Sequence, residues 1–231
     1  MQRRVLALIA SAVVVVLAVA IFIFFPGRGS HSTPNHKAAG AATVVGTPIS
    51  TNGLSKYTIV AGQSTASYSV HEDLIFGGVG SNTAVGTTSG VSGTFFLGES
   101  GAITLTQVDI SVDLTGLHTD SALRDGHVQD YLDTSEFPDA VFTSTNVKGL
   151  PATYTPGQTI SFQITGNLKL HGVTNAETFN AKGKVLSDNQ VTGTASTTIF
   201  MTDFGVTPPD LANIAIVDNK VTLTINFTAQ K

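Results

Sequence analysis

The sequence predicts an all-β domain: eight antiparallel strands closed up-and-down into a barrel with one short helix, preceded by a single transmembrane helix. Three observations carry that expectation. From Tyr57 to Phe227 the apolar residues recur at every second position within successive runs, the period of a sheet with one dry and one wet face. Clusters of turn residues, among them Gly98-Glu99-Ser100-Gly101, Thr155-Pro156-Gly157, Asp188-Asn189 and Asp218-Asn219, cut this stretch into strand-length pieces. Ahead of it lies a segment, residues 5–25, that is apolar apart from Ser11.

As a helix rising ~1.5 Å per residue, segment 5–25 is roughly 32 Å long, the thickness of a bilayer core. Arg3 and Arg4 precede it, and the positive-inside rule then sets the N-terminus in the cytoplasm and the rest of the chain outside. Ala18-Val19-Ala20 has the small-x-small form of a cleavage site, yet Ile21-Phe22-Ile23-Phe24-Phe25 follows at once. The run is also longer than a signal core of about 7–15 residues. Residues 1–25 are therefore expected to be an uncleaved transmembrane signal anchor, with the barrel on the extracytoplasmic side of the cell membrane. Residues 26–55 mix Pro, Gly, Ser, Thr and Ala without periodicity and read as a flexible linker spanning on the order of 30 Å. His31 and His36 fall within it, with no further ligands at metal-binding spacing.

The barrel is expected over 56–231. Tyr57 and Ile59, then Ala66, Tyr68 and Val70, open it, and strands at 84–97, 102–114 and 140–148 follow. Segment 159–170 is the clearest strand, with Ile160, Phe162, Ile164, Leu168 and Leu170 on one face. Strands at 176–186 and 189–201 come next, and Val221, Leu223, Ile225 and Phe227 form the last. In 102–114 the phase slips: Ile103 and Leu105 share one parity, and Val108, Ile110, Val112 and Leu114 the other. One extra residue at Thr106-Gln107, a β-bulge, restores the faces. Closure removes the edges of so long a sheet, and an eight-stranded interior holds either packed side chains or one small ligand. A helix over 121–132, with Asp120 as its N-cap, presents Val128, Tyr131 and Leu132 as its apolar face. Arg124 projects into that face and Asp125 lies at its rim, where a charge needs a partner.

Composition excludes several classes of function. Net charge is -4 with 12% charged residues and no basic stripe, so there is no footprint for nucleic acid. The chain has no cysteine, which removes disulfides, thiolate metal sites, a Cys nucleophile and a lipoprotein attachment point. It carries no Gly-x-Ser-x-Gly, His-Glu-x-x-His or phosphate loop, and His71-Glu72-Asp73 has no partner motif. No catalytic activity, cofactor or metal is expected.

Several runs resemble the YceI-like family. Asp113-Leu114-Thr115-Gly116-Leu117-His118-Thr119 leads into Leu123-Arg124-Asp125-Gly126-His127-Val128, then Asp133, Phe137-Pro138 and Phe142-Thr143-Ser144-Thr145. A second match is Gly166-Asn167-Leu168-Lys169-Leu170-His171-Gly172-Val173-Thr174. In order, these cover the barrel from residue 56 onward. The resemblance implies a lipocalin-like barrel with an elongated apolar pocket for polyisoprenoid chains, such as isoprenoid quinones or polyprenyl phosphates. The chain departs from the family pattern at Gly116, at Val128 and over Val60-Ala61-Gly62-Gln63-Ser64, which lacks the usual Asp and His. The pocket is therefore carried over, and a detailed polar site is not.

Phe142, Phe162, Ile164, Phe179, Phe200, Leu223, Ile225 and Phe227 are the candidates for lining such a cavity. Periodicity alone fits a solid core equally well; the resemblance favours the cavity, and small residues at Ala181, Gly193 and Ala195 leave room. Arg124, Asp125 and His127 could grip a phosphate or quinone head at the mouth, or anchor the helix over the barrel; the structural use is preferred, because a buried Arg needs a partner. His171 and Thr174 read as turn residues. The expected function is that of a lipid carrier, buffer or sequestering protein, with an isoprenoid lipid as partner and the membrane reached through the N-terminal helix. A ligand-free structural or adhesive cell-surface domain is the first alternative and an enzyme acting on an isoprenoid the second, and a homodimer is left open.

Overall fold

The computed structural model describes residues 53–75, 80–98, 102–187, 189–211 and 215–231. Segment 5–25 and the linker up to residue 52 lie outside them; among the described helices none is long and apolar enough to cross a membrane. The elements are β1 (Ser55–Ile59), β2 (Thr65–Leu74), β3 (Gly80–Thr88), β4 (Val91–Gly98), β5 (Thr104–Asp113), α1 (Ala122–Tyr131), β6 (Asp139–Lys148), β7 (Ile160–Leu170), β8 (Val173–Ser187), β9 (Gln190–Phe200), β10 (Asp210–Leu211) and β11 (Ala215–Gln230). A 3-10 turn, Met201–Phe204, follows β9.

Every pairing is antiparallel. The path runs β1-β4-β5-β6-β7-β8-β9-β11 and returns to β1 through Thr58↔Gln230 and Ile59↔Ala229, which closes an eight-stranded barrel. Of the remaining strands, β2 and β3 continue β1 and β4 beyond a break, and the two-residue β10 pairs the start of β11. β1 and β2 follow one another along the same edge of β11, separated by a turn in which Gly62 takes φ +74°. Ser64 ties this break down: its buried hydroxyl accepts the Thr228 amide at 3.1 Å. The expected strand 84–97 is likewise split into β3 and β4. Buried Thr88 turns the chain by accepting the Gly90 amide at 3.0 Å, and a side chain at Gly90 would meet the Asp113 Cβ at 2.7 Å.

The bulge falls where the phase slip places it. Thr94 pairs with Asp109 but Phe96 with Thr106, so β5 carries one extra residue, and Gln107 takes φ +49°. The Val108 amide donates to Ser144 Oγ at 2.9 Å rather than going unsatisfied. With the slip absorbed, Ile103, Val108 and Val112 are all buried.

The helix starts one residue later than expected. Ser121, not Asp120, is the N-cap and accepts the Arg124 amide at 3.5 Å. The Asp120 carboxylate is drawn instead to the Arg124 guanidinium, and Asp125 folds back to accept the amide and hydroxyl of Thr119, each at 2.7 Å. No residue of α1 is buried; Val128 and Leu132 pack partly against the core, while Tyr131 remains exposed.

The register defines two ends. The helix end holds α1, the paired strand ends Leu74 and Gly80, the β7–β8 turn and the 3-10 turn. At the opposite, entry end the chain joins β1 through Gly53 and Leu54, beside Gly98 of β4.

Candidate functional site

Alternation turns one side chain in two inward, and in several places an inward aromatic ring lies over a glycine of the neighbouring strand. A Cβ on Gly166 would come within 2.6 Å of the Phe142 ring, and one on Gly193 within 2.6 Å of the Phe227 ring. Phe142 also meets Phe179 edge-on at 5.0 Å, and Tyr57 stacks on Phe95 at 5.4 Å. The glycines thus seat rings rather than leave empty space. A cavity of about 100 Å³ lies between these rings in the entry half of the barrel. Of its lining side chains, only Tyr154 and Lys184 carry polar atoms.

Phe142, Phe162, Ile164, Phe179, Ile225 and Phe227 border this cavity, as do Ala181 and Ala195. Leu223 turns inward but beyond it, opposite Tyr68 of β2 and Thr197 of β9. Phe200 must be corrected. It is 49% exposed, because the inward parity of β9 runs through Val191, Ala195, Thr197 and Ile199, and Phe200 falls on the other. Sequence reasoning missed Leu150 and Tyr154, which reach the cavity from the β6–β7 loop. No period marks a loop; the available signal was an aromatic residue set among Pro, Gly and Thr. Tyr154 is pinned from three sides: its hydroxyl donates to the Val185 carbonyl at 3.2 Å and accepts the amides of Val185 at 3.0 Å and Gly157 at 3.1 Å.

Arg124, Asp125 and His127 are not at the cavity. All three sit at the helix end, and none borders the void. Arg124 donates to Glu72 of β2 at 3.2 Å, and Glu72, only 6% exposed, also accepts from Asn82 of β3 at 2.7 Å. Arg124 therefore fastens the helix to the barrel wall. His127 is exposed. Beside this cluster the buried Tyr68 hydroxyl has no hydrogen-bond partner among the described residues. Burial pushes its pKa up to about 12; Arg124 opposes that shift, and the carboxylates of Asp125, Glu72 and Asp120 add to it.

His171, in the tight β7–β8 turn with φ +50°, has Nδ1 3.0 Å from the Phe204 carbonyl and packs edge-on against Phe137. Thr174 is exposed. Burial, and secondarily Asp203, raise the pKa of Glu177. Among the described residues no cluster of His, Asp and Glu could hold a metal.

Residues 57–229 match the model of the YceI-like domain family. A UPF0312 protein of Pseudomonas putida is 39% identical over 109 residues, 43% of this chain and 53% of its own length. Protein YceI of Escherichia coli O157:H7 is 36% identical over 99 residues, 42% of this chain and 47% of its own. The chain thus spans about half the length of the curated relatives it matches. Among solved structures, a polyisoprenoid binding domain from Saccharophagus degradans shares the fold with a TM-score of 0.57 at 17% identity, over 75% of this chain and 97% of that one. The YceI protein of Campylobacter jejuni does so with a TM-score of 0.52 at 18% identity, over 63% and 84%.

Proposed function

The chain belongs to the YceI-like family, and from that premise we propose that its barrel holds an isoprenoid-type lipid, an isoprenoid quinone or polyprenyl phosphate, as carrier, buffer or sequestering protein. The observation that carries this reading is the cavity: a void inside a closed sheet, bordered almost wholly by carbon. The fold likeness to a protein named a polyisoprenoid binding domain supports the choice of ligand. Each buried methylene contributes about 0.8 kcal/mol, so a long apolar chain has ample gross driving force before its ordering costs are subtracted. The groups around the void offer apolar surface rather than an acid–base pair, which favours binding over catalysis.

Size sets a condition. A cavity of about 150 Å³ takes a benzene-sized guest, so the roughly 100 Å³ void holds a fragment of an isoprenoid tail. A whole chain requires the lining to part. Leu150 and Phe162 are the members placed to do so: both are only half-buried and Leu150 sits on a loop, whereas Tyr154 is held by its three hydrogen bonds. Residues 1–25 are proposed to anchor the barrel on the outer face of the cell membrane, close to its lipid source.

Native mass spectrometry of the full chain, purified in mild detergent, tests this reading. One lipid per barrel is expected, removable by solvent and restored by a polyprenyl phosphate or a quinone. A folded protein that neither retains nor takes up any lipid would instead favour the ligand-free adhesive domain.

A further inference from the structure

We infer that the entry end of the barrel docks on an anionic lipid bilayer, so that the cavity faces the membrane. The barrel's charges are segregated along its axis. Lys56 opens β1, Lys148 closes β6, Lys182 and Lys184 lie in the last turns of β8, and Lys231 follows β11. All five belong to the entry end, and among the described residues of that end there is no Asp or Glu. Glu99 and Asp188, which interrupt the basic run in sequence, lie outside the described residues. The acids gather at the other end: Glu72, Asp113, Asp125, Asp133, Asp139 and Asp203 surround the helix and the 3-10 turn and outnumber the bases there, Lys169, Lys220 and an Arg124 already paired with Glu72 and Asp120.

Net charge hides this arrangement, because the two ends partly cancel. A field does not. Near an anionic surface, which attracts Lys and Arg within a Debye length, such a molecule turns its basic end inward and its acidic end away. Lys56, Lys148 and Lys182 are exposed, so their ammonium groups can reach lipid phosphates. Leu186, 48% exposed one turn of strand beyond Lys184, offers an apolar contact among them. The cavity occupies the same half of the barrel, and the chain enters there from the segment that holds the apolar run 5–25. The orientation does not depend on which lipid the cavity holds.

Because the chain lacks cysteine, one introduced thiol reports on one place. The full chain, labelled with a fluorophore at Gln158→Cys (entry end) or Ser135→Cys (helix end), is mixed with vesicles of phosphatidylcholine alone or with phosphatidylglycerol added. Each vesicle carries a headgroup-bound quencher. With phosphatidylglycerol the Gln158 label is expected to be quenched severalfold more than the Ser135 label; without it the ratio falls toward one. The triple variant Lys56→Gln/Lys148→Gln/Lys182→Gln should abolish the bias, since each lysine near the surface is worth roughly fivefold in association. Equal quenching of both labels, a bias indifferent to phosphatidylglycerol or to the three lysines, or no association with the vesicles overturns the inference. Lipid extracted from the same samples separates the two readings. Docking without cargo sinks the carrier, and cargo without oriented docking sinks the orientation.

Discussion

The tip of the Phe227 ring occupies the place where a side chain on Gly193 would begin: a Cβ there would stand 2.6 Å from Phe227 Cζ. The two residues face each other across β9 and β11, and the Lys182 carbonyl closes the same spot from β8, at 2.5 Å. Gly193→Ala should therefore destabilise the barrel by about 1–3 kcal/mol through overpacking. Urea unfolding should show a lower midpoint with an unchanged slope; an unaltered midpoint would mean that the ring does not lie there.

Arg124→Met should cost roughly 2–4 kcal/mol, because it leaves the Glu72 carboxylate buried and without its cation. The double variant Arg124→Met/Glu72→Gln should recover part of that loss. Lipid content should stay constant throughout, since the cavity lies at the opposite end. Stable protein with depleted lipid would return Arg124 to a head-group role.

Tyr68→Phe removes a buried hydroxyl that satisfies nothing among the described residues, and should raise stability at neutral pH by about 1 kcal/mol. The same change should flatten the alkaline limb. The unfolded tyrosine ionises near 10.0 and the folded one at about 12. Between those values the unfolded chain has shed a proton that the folded chain still holds, so stability falls as pH rises. Equilibrium unfolding of both proteins across that interval should show a shallower decline for the variant.

Ala195→Leu places new carbons in the void. If the space is open, the barrel should accept them at a cost below about 1 kcal/mol, less than ordinary overpacking, while losing most of its extractable lipid. Thermal unfolding and lipid extraction on the same sample read both effects. A heavy loss of stability would show that the interior is already filled.

The sequence was most informative where a residue's partner lies at fixed spacing. Alternation located the strands, and a parity slip of one residue located the bulge at Gln107. The same alternation, followed along β9 to Ile199, turns Phe200 to solvent; the adjacent apolar pair Ile199-Phe200 hid which of the two keeps the inward parity. Ser121 and Asp120 are both good caps by type, and the choice was made by Arg124, which claims Asp120 for itself. The axial position of the cavity was illegible for a related reason. Motif order along the chain runs past the helix, and only the closed register shows that the helix and the void belong to opposite ends.

The void lies in the entry half of the barrel and is smaller than the ~150 Å³ that houses benzene. A long guest of the kind proposed would therefore be taken in only in part, and the part left outside is what a donor or an acceptor would have to hold.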